Sequence, residues 1–168
     1  HRIKLYDVSY WDKEVNAVNQ NVVQLTDLTN HHVNMLPLSP EVTVLDVGAG
    51  TGRMPLTMAK LAKYVTALEP SQNMLKMLRE NAARQQISNI TYLNKSLEEM
   101  PTDASYDLVV ASFSLFMFDM ETALQKMNDL ASKRVYLFIS ASPWIDEGIY
   151  RAVYGNSSVW SDFVLTYN

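Results

Sequence analysis

The residues best placed to do chemistry lie in one short segment, where glycines alternate with other residues after an apolar run. Gly48, Gly50 and Gly52 directly follow the run at residues 42–47. Glycine adopts backbone angles that other residues avoid, and it lets a ligand approach the main chain closely. If a helix begins here, its first amide groups and the positive end of its dipole face the same crevice. The segment therefore predicts a ligand-binding turn.

Two acidic residues bear on which ligand such a turn would hold. Asp46 lies two residues before Gly48, and Glu69 ends the next apolar run along the chain. A carboxylate at Asp46 would repel a pyrophosphate but can hold the ammonium group of an amino acid. An acid at Glu69 can accept both hydroxyls of a ribose, whichever class of nucleotide or nucleoside is bound. Taken singly, each acid could also be a solvated strand end.

Nicotinamide and flavin proteins use a similar glycine turn, so an oxidoreductase is the first alternative. Their fingerprint is G-x-G-x-x-G, and its third glycine allows close packing of helix on strand. Arg53 stands at that third position, and its bulk does not suit the role. Asp46 and Arg53 therefore favour a cationic amino-acid nucleoside, whereas Glu69 suits either ligand.

The elements that must position these residues alternate between strands and helices. Strands are predicted from short apolar runs, and helices from apolar residues at three- and four-residue steps. Such alternation implies βαβ units, right-handed crossovers and a parallel sheet, so the fold class is a doubly wound α/β domain. Ser71 is the predicted N-cap of one helix. The predicted strands are 42–47, 64–68, 90–93, 108–111 and 135–139, and the helices include 52–63 and 119–131.

The whole chain, residues 1–168, is predicted to form a single domain in three parts. Residues 1–40 form an N-terminal helical cap, with an amphipathic stripe over 11–35 that breaks near Thr29 and Asn30. Residues 41–140 form the cofactor-binding core, and residues 141–168 form a partial C-terminal region. Within the last part, 146–154 is a possible helix, and 159–167 is either one strand or another helix.

Three segments together resemble the class I S-adenosylmethionine-dependent methyltransferases. VLDVGAGTGR is similar to the first motif of that family, and ALEPSQNMLKML to its acidic strand end and second helix. SLEEMPTDASYDLVVASFSLFMF is similar to the loop after the third strand and the whole fourth strand. Their order and spacing over residues 42–118 make the match specific. The resemblance implies a Rossmann-like sheet of strand order 3-2-1-4-5, and the small-molecule branch of the family is the most similar.

The resemblance also implies the roles of individual residues toward S-adenosylmethionine, with S-adenosylhomocysteine as product. The glycine turn would lie along the methionine moiety, Glu69 would bind the ribose, and the adenine would lie between the second helix and the loop after the third strand. The family usually has an aspartate where Ser96 stands, and serine accepts more weakly with shorter reach. The implied cofactor-binding residues are Asp46, Gly48, Ala49, Gly50, Glu69, Pro70, Ser71, Met74, Ser96, Leu97 and Ala111.

Around that site, aromatic residues are candidates for closing the pocket. Tyr10 and Trp11 could cover the cofactor, although Trp11 is equally explained as the first apolar residue of a packed helix. Four other aromatics could line an apolar acceptor pocket, and ordinary core packing explains each of them as well. They are Phe113, Phe116, Phe118 and Trp144.

The function implied is methyl transfer to an unidentified acceptor, with no catalytic residue assigned. A small molecule is the leading acceptor and a protein side chain the second. A net charge of -4 makes a nucleic acid less favoured. The 168 residues contain no cysteine, which excludes thiolate nucleophiles and cysteine-ligated zinc from them. A non-catalytic S-adenosylmethionine-binding module is the remaining alternative.

The cellular location of the protein and the extent of the natural chain are further expectations from the sequence. No apolar run has the length of a membrane span, and neither a metal site nor a signal peptide is apparent, so we expect a cytoplasmic protein. The family adds two antiparallel strands after the fifth strand, and only 29 residues follow Ile139. We therefore expect the last strands of the family fold to be missing and the natural chain to continue past Asn168.

Overall fold

A computed structural model describes residues 7–115, 119–140 and 162–167, the last segment and Ser140 by their backbone alone. Within these ranges six strands form one sheet of order β3-β2-β1-β4-β5-β6. Strands β1 to β5 run parallel, and β6 pairs antiparallel with β5. The predicted α/β class and the order 3-2-1-4-5 are thereby confirmed. The strands are β1 (Thr43–Val47), β2 (Tyr64–Leu68), β3 (Ile90–Leu93), β4 (Tyr106–Ser112), β5 (Ala131–Ser140) and β6 (Asp162–Tyr167).

Helices cover both faces of the sheet, so the central strands are apolar on both sides. Val44 and Val110 face one core, and Leu45 and Val109 face the other. All four side chains are fully buried. The described helices are α1 (Val8–Gln24), α2 (Thr26–Asn34), α3 (Pro55–Met58), α4 (Gln72–Arg84) and α5 (Met120–Leu130).

The helix predicted over 52–63 is much shorter in the structure, and this boundary was wrong. Gly52 has φ +112, which is not helical, so the regular helix α3 begins only at Pro55. At the other end, the Lys63 amide donates to the Val42 carbonyl at 2.9 Å and draws the chain into β2. The intervening residues close tight turns, such as that from the Leu61 amide to the Met58 carbonyl at 3.0 Å.

The N-terminal helical region breaks at Leu25, earlier than the predicted break near Thr29 and Asn30. Leu25 has φ -102 and ψ 27 and separates α1 from α2. The Thr26 hydroxyl donates to the Val23 carbonyl at 2.7 Å, a local bond that competes with helix continuation. Within the described part of the chain, no helix has the length and hydropathy needed to cross a membrane.

The C-terminal segment contributes an edge strand. Residues 162–167 form β6, the strand among the two alternatives considered for 159–167. The register places Val135 opposite Tyr167 and Ser140 opposite Asp162. The possible helix at 146–154 lies outside the described residues.

The carboxylate of Asp107 holds the start of β4 to β1, and this contact leads to a prediction about stability. The Lys133 ammonium (2.8 Å) and the Thr43 amide (2.8 Å) hold the pKa of Asp107 down to about 2. A depressed carboxyl pKa stabilises the fold above the unfolded value, and this contribution is lost as pH falls from about 4 toward 2. We expect Asp107→Asn to lower the free energy of unfolding at pH 7 by about 1 kcal/mol, since the pair is partly exposed.

The measurement is chemical denaturation at pH 7 and at stepwise lower pH. The gap between wild type and the variant should close as the pH approaches 2. Asp103→Asn, at an exposed aspartate before β4, is the matched control and should leave stability unchanged. Equal stability of Asp107→Asn and wild type at pH 7 would contradict the assignment.

Candidate functional site

The glycine turn leaves β1 in a left-handed backbone and is tied to the end of β2. The Gly48 and Ala49 amides both donate to the Leu68 carbonyl, at 2.8 and 3.1 Å. Gly48 has φ +74 and lies against the chain after β4, where a Cβ at residue 48 would come within 2.4 Å of Ser114 Cβ. The turn can adopt this shape because residue 48 has no side chain.

Gly52 is the glycine that allows the helices to pack closely beside the turn. A Cβ there would meet Leu78 at 2.4 Å and Leu56 at 2.8 Å. The tight-packing role that the dinucleotide fingerprint gives to its third glycine is thus filled one residue before Arg53. Arg53 itself lines the cavity beside the turn.

Glu69 joins the turn to the start of α4. Its Oε2 accepts the Gly50 amide at 2.9 Å, and its Oε1 accepts the Ser71 amide at 2.9 Å. Ser71 then caps α4, because its hydroxyl accepts the Met74 amide at 3.1 Å. The predicted N-cap is confirmed. One carboxylate thus sets the spacing between the turn and the first residues of the helix.

A cavity of about 410 Å³ opens beside this arrangement. The turn, the end of β2, the loop after β3, the loop after β4 and helix α1 bound it. Most residues predicted to bind cofactor line it together, namely Asp46, Gly48, Ala49, Gly50, Glu69, Pro70, Met74, Ser96 and Leu97.

Two of the predicted residues lie beside the cavity, outside its lining. Ser71 is fully buried as the N-cap of α4. Ala111 is fully buried in β4, in register with Val47 of β1. Among the aromatic candidates, Trp11 and Phe113 line the cavity. Phe116, Phe118 and Trp144 lie outside the described residues.

Buried carboxylates dominate the electrostatics of the cavity. Burial raises the pKa of Asp46 to about 7, against the opposing charge of Arg53 and with a further contribution from Glu69. Asp46 Oδ2 is buried and accepts no hydrogen bond from the described residues. Burial also raises the pKa of Glu69, while the Ser71 and Gly50 amides act to lower it. An acid with an unbonded buried oxygen at a cavity wall is suited to a ligand that brings a cationic donor.

Arg53 is a site residue that the sequence analysis used only as an argument against dinucleotides. Its guanidinium donates to the hydroxyls of Thr29 (3.2 Å) and Ser112, and it lies 5.1 Å from the centroid of the Phe113 ring. Phe113 has φ +56, a backbone conformation that is strained in a bulky residue. Its amide is held by the Phe138 carbonyl at 2.9 Å. The fold therefore positions a cation and an aromatic ring at the turn.

Helix α1 closes one side of the cavity and is docked by polar contacts. Asp12 accepts the Ser71 hydroxyl and the Asn73 amide, the latter at 3.3 Å. Nearer its C-terminus, Asn19 accepts from the Asn81 amide group at 2.7 Å. Sequence reasoning missed most of the lining from this helix, although a stripe of helical period runs along it. The α1 residues in the lining are Val8, Trp11, Val18 and Asn21, with Leu25 just beyond.

The fold and the site together define a class of protein. Parallel strands of order 3-2-1-4-5 carry a glycine turn after β1, an acid ends β2, and a second acid lies within β1. Ligands of open α/β sheets bind at this edge, outside the carboxyl ends of the strands. The class is a nucleoside-binding α/β domain with an acidic site. Within the described ranges no group of His, Asp and Glu side chains is arranged to hold a metal ion.

Comparison with known proteins gives the family. Residues 44–133, more than half of the chain, match the methyltransferase domain family. The chain belongs to this family, the class I S-adenosylmethionine-dependent methyltransferases, and the resemblance inferred from its motifs is confirmed.

Curated relatives are longer than this chain. An uncharacterized protein of Haemophilus influenzae is 27% identical over 146 residues, which cover 85% of this chain and 54% of the relative. The 23S rRNA (uracil(1939)-C(5))-methyltransferase RlmD of Vibrio cholerae is 30% identical over 132 residues, which cover 76% of this chain and 28% of the relative. The chain thus spans about half the length, or less, of these relatives.

A solved structure shows the same fold. Phosphoethanolamine N-methyltransferase 1 of Haemonchus contortus, in complex with phosphoethanolamine and S-adenosylhomocysteine, superposes with a TM-score of 0.67 at 21% identity. The match covers 84% of this chain and 33% of that one.

The close approach of Gly48 to Ser114 leads to a testable prediction, and Gly50 provides the matched control. Gly48→Ala combines a left-handed alanine with a clash against Ser114 Cβ, so we expect a loss of about 2–4 kcal/mol of unfolding free energy. Gly50→Ala shares the left-handed backbone, but its Cβ would meet only Val18, at 3.8 Å. It should cost about 1 kcal/mol. Equal losses in the two variants, measured by chemical denaturation, would contradict the close approach.

Proposed function

We propose that this protein binds S-adenosylmethionine in the cavity beside the glycine turn and transfers its methyl group to a small-molecule acceptor. The observation that carries the proposal is the buried Oδ2 of Asp46, which accepts no hydrogen bond from the described residues at a cavity wall. In a member of this methyltransferase family, that oxygen is suited to the ammonium group of a methionine moiety.

The residues around the cavity fit the rest of such a ligand. Glu69 already accepts two amides, but a carboxylate offers about four acceptor positions and can still accept ribose hydroxyls. The turn at Gly48 and Gly50 brings bare main chain to the cavity. We assign Pro70, Met74, Ser96 and Leu97 to the adenine. Ser71 and Ala111 support the site from behind, Ser71 through the Glu69 contact.

S-adenosylmethionine, when bound, supplies a methyl group on a positively charged sulfur. The protein must hold the acceptor atom in line with that group and keep water out. Positioning of this kind is worth up to about 7–11 kcal/mol in favourable intramolecular reactions. A general base is needed only where the acceptor loses a proton. No side chain of the described cavity is therefore obliged to act as a nucleophile.

A small acceptor is favoured because α1 and the loop after β4 both line the cavity, so a bulky substrate would have to fit between them. A net charge of -4 is also unfavourable for a polyanionic substrate. The Vibrio cholerae relative is named for methylation of a uracil in 23S rRNA, which motivates a second candidate. An RNA base would have to leave its stack to enter a cavity of this size.

The primary test is ligand-dependent thermal stability. S-adenosylhomocysteine at 100 times its Kd should stabilise the purified protein by about 2.7 kcal/mol, a shift of about 5–10 °C in Tm. NAD at the same concentration is the control for a nicotinamide oxidoreductase and should leave Tm unchanged. A shift with NAD and none with S-adenosylhomocysteine would reject the proposal.

The acceptor class is tested with radiolabelled S-adenosylmethionine. Transfer to members of a panel of small amines, alcohols and carboxylates supports the proposed acceptor, whereas label found only in rRNA supports the second candidate. Binding of cofactor with no transfer to either class would identify a non-catalytic module.

The raised pKa of Asp46 predicts how affinity depends on pH. Its carboxylate must be ionised to hold an ammonium group, and burial places its pKa at about 7. The affinity for S-adenosylhomocysteine should therefore rise as the pH increases from 6 to 8, because a proton competes at the lower pH. Asp46→Asn should bind at least tenfold more weakly at pH 8 and show a flat profile in isothermal titration calorimetry. A pH profile in the variant that matches wild type would contradict the role.

A further inference from the structure

His32 is an ionisable residue that the proposed function does not use and that the fold buries completely. It belongs to α2, where its neighbour His31 is exposed, and its own exposed fraction is 0%. It stands behind the cavity, outside the lining. Histidine is only intermediate among residue types in its tendency to be buried, so complete burial needs a reason. The contacts of His32 supply one, because they lead from α2 to the cavity wall.

The imidazole of His32 is one of three aromatic rings that pack together. It is stacked on the ring of Phe138 in β5, with the ring centroids 4.2 Å apart and the planes inclined by 17°. It also contacts the Phe113 ring, at 5.6 Å between centroids and 57° between planes. Phe138 is fully buried, whereas Phe113 lines the cavity. The imidazole therefore joins the core of the sheet to an aromatic side chain of the cavity wall.

Phe113 needs this support because its backbone is left-handed, with φ +56. A bulky residue in such a conformation is strained, and it keeps the conformation only where the surrounding structure holds it there. The hydrogen bond from the Phe113 amide to the Phe138 carbonyl, at 2.9 Å, holds the backbone. Separate contacts hold the ring, namely the His32 imidazole and the Arg53 guanidinium, which lies 5.1 Å from the ring centroid.

Helix α2 takes part in both of these ring contacts. His32 belongs to the helix, and Thr29, three residues earlier, accepts a hydrogen bond from the Arg53 guanidinium at 3.2 Å. Residues three apart lie on the same face of a helix, so one face of α2 is directed at the loop after β4. The conformation of Phe113 therefore depends on a helix that lies outside residues 44–133, the part of the chain that matches the family.

Phe113 lies on the side of the cavity away from the ribose position. Strand β1 has β2 on one side and β4 on the other, so Glu69, directly after β2, and the loop after β4 lie on opposite sides of the glycine turn. In the proposed function Asp46 holds the ammonium group and Glu69 the ribose, which places the sulfur between them. The nucleoside then occupies the β2 side, and the β4 side, with Phe113, is left for the acceptor.

We propose that His32 is a positioning residue for methyl transfer, which holds the Phe113 ring as the wall beside the sulfonium and the incoming acceptor. This inference rests on the proposed function. His32 touches neither reactant and acts through Phe113 alone. The face of an aromatic ring attracts a positive charge, so the position of this ring matters most to a ligand that is charged at the reacting centre.

The test compares two ligands that differ at the reacting centre. S-adenosylhomocysteine has a neutral sulfur there, whereas sinefungin has an amine-bearing carbon in its place and so carries a positive charge. His32→Leu keeps an apolar side chain and removes the ring. We expect it to weaken sinefungin about fivefold and S-adenosylhomocysteine less than twofold, by isothermal titration calorimetry at pH 7.5. His31→Leu, at the exposed neighbour, is the matched control and should change neither affinity.

Rescue by a second ring separates positioning from a general loss of stability. His32→Phe keeps the stacked ring and should bind sinefungin within about twofold of wild type. If His32→Leu does not fold, His32→Gln, which has a polar amide and no ring, replaces it. Equal weakening of both ligands, no weakening of sinefungin, or no rescue by His32→Phe would overturn the role of His32. If the wild-type protein binds neither ligand, the proposed function itself fails and this inference with it, so the two failures are distinguished.

Discussion

The carboxylate of Glu69 connects the three parts of the site. One of its oxygens holds the glycine turn through the Gly50 amide, and the other holds the start of α4 through the Ser71 amide. Helix α1 attaches to the same point, since Asp12 bonds to Ser71. Burial opposes the charge on Glu69, and the two amides compensate for part of that cost. The core, the turn and the cap thus meet at one charged group.

The site also brings buried acidic groups close together, as is common at binding sites. Asp46 and Glu69 are both acidic and buried, and each has a pKa above its ordinary value. Asp12 adds a third negative charge near Glu69. Arg53 is the cation that opposes this charge at Asp46. A ligand that brings its own positive charge would reduce the repulsion among these carboxylates. The fold therefore favours a cationic ligand before any specific contact forms.

Much of the fold could be predicted because its signals are local. The β2 and β3 bounds follow from short apolar runs, and the Ser71 cap from a serine placed before a helical stripe. The length of α3 could not be predicted, because it depends on Gly52 packing against Leu78 and on Lys63 bonding to Val42. Those contacts join residues that are distant in sequence or depend on a backbone angle that composition does not reveal.

The residues of the site also divide into those that the sequence predicts and those that it does not. Residues inside the motifs, such as Asp46 and Glu69, were predictable because their spacing from the glycines is fixed by the strand and the turn. Arg53 was not, since its contacts with Thr29 and Ser112 depend on where α2 and the end of β4 lie relative to the turn. Helix α1 carries an apolar stripe but has no buried residue, so the stripe alone did not reveal that it lines a cavity. Polar pairs hold it to the core, Asp12 with Ser71 and Asn19 with Asn81, together with Val22, which packs against the core. Because each such hydrogen bond contributes only about 0.5–3 kcal/mol net, contacts from a bound ligand would add appreciably to the attachment of the cap.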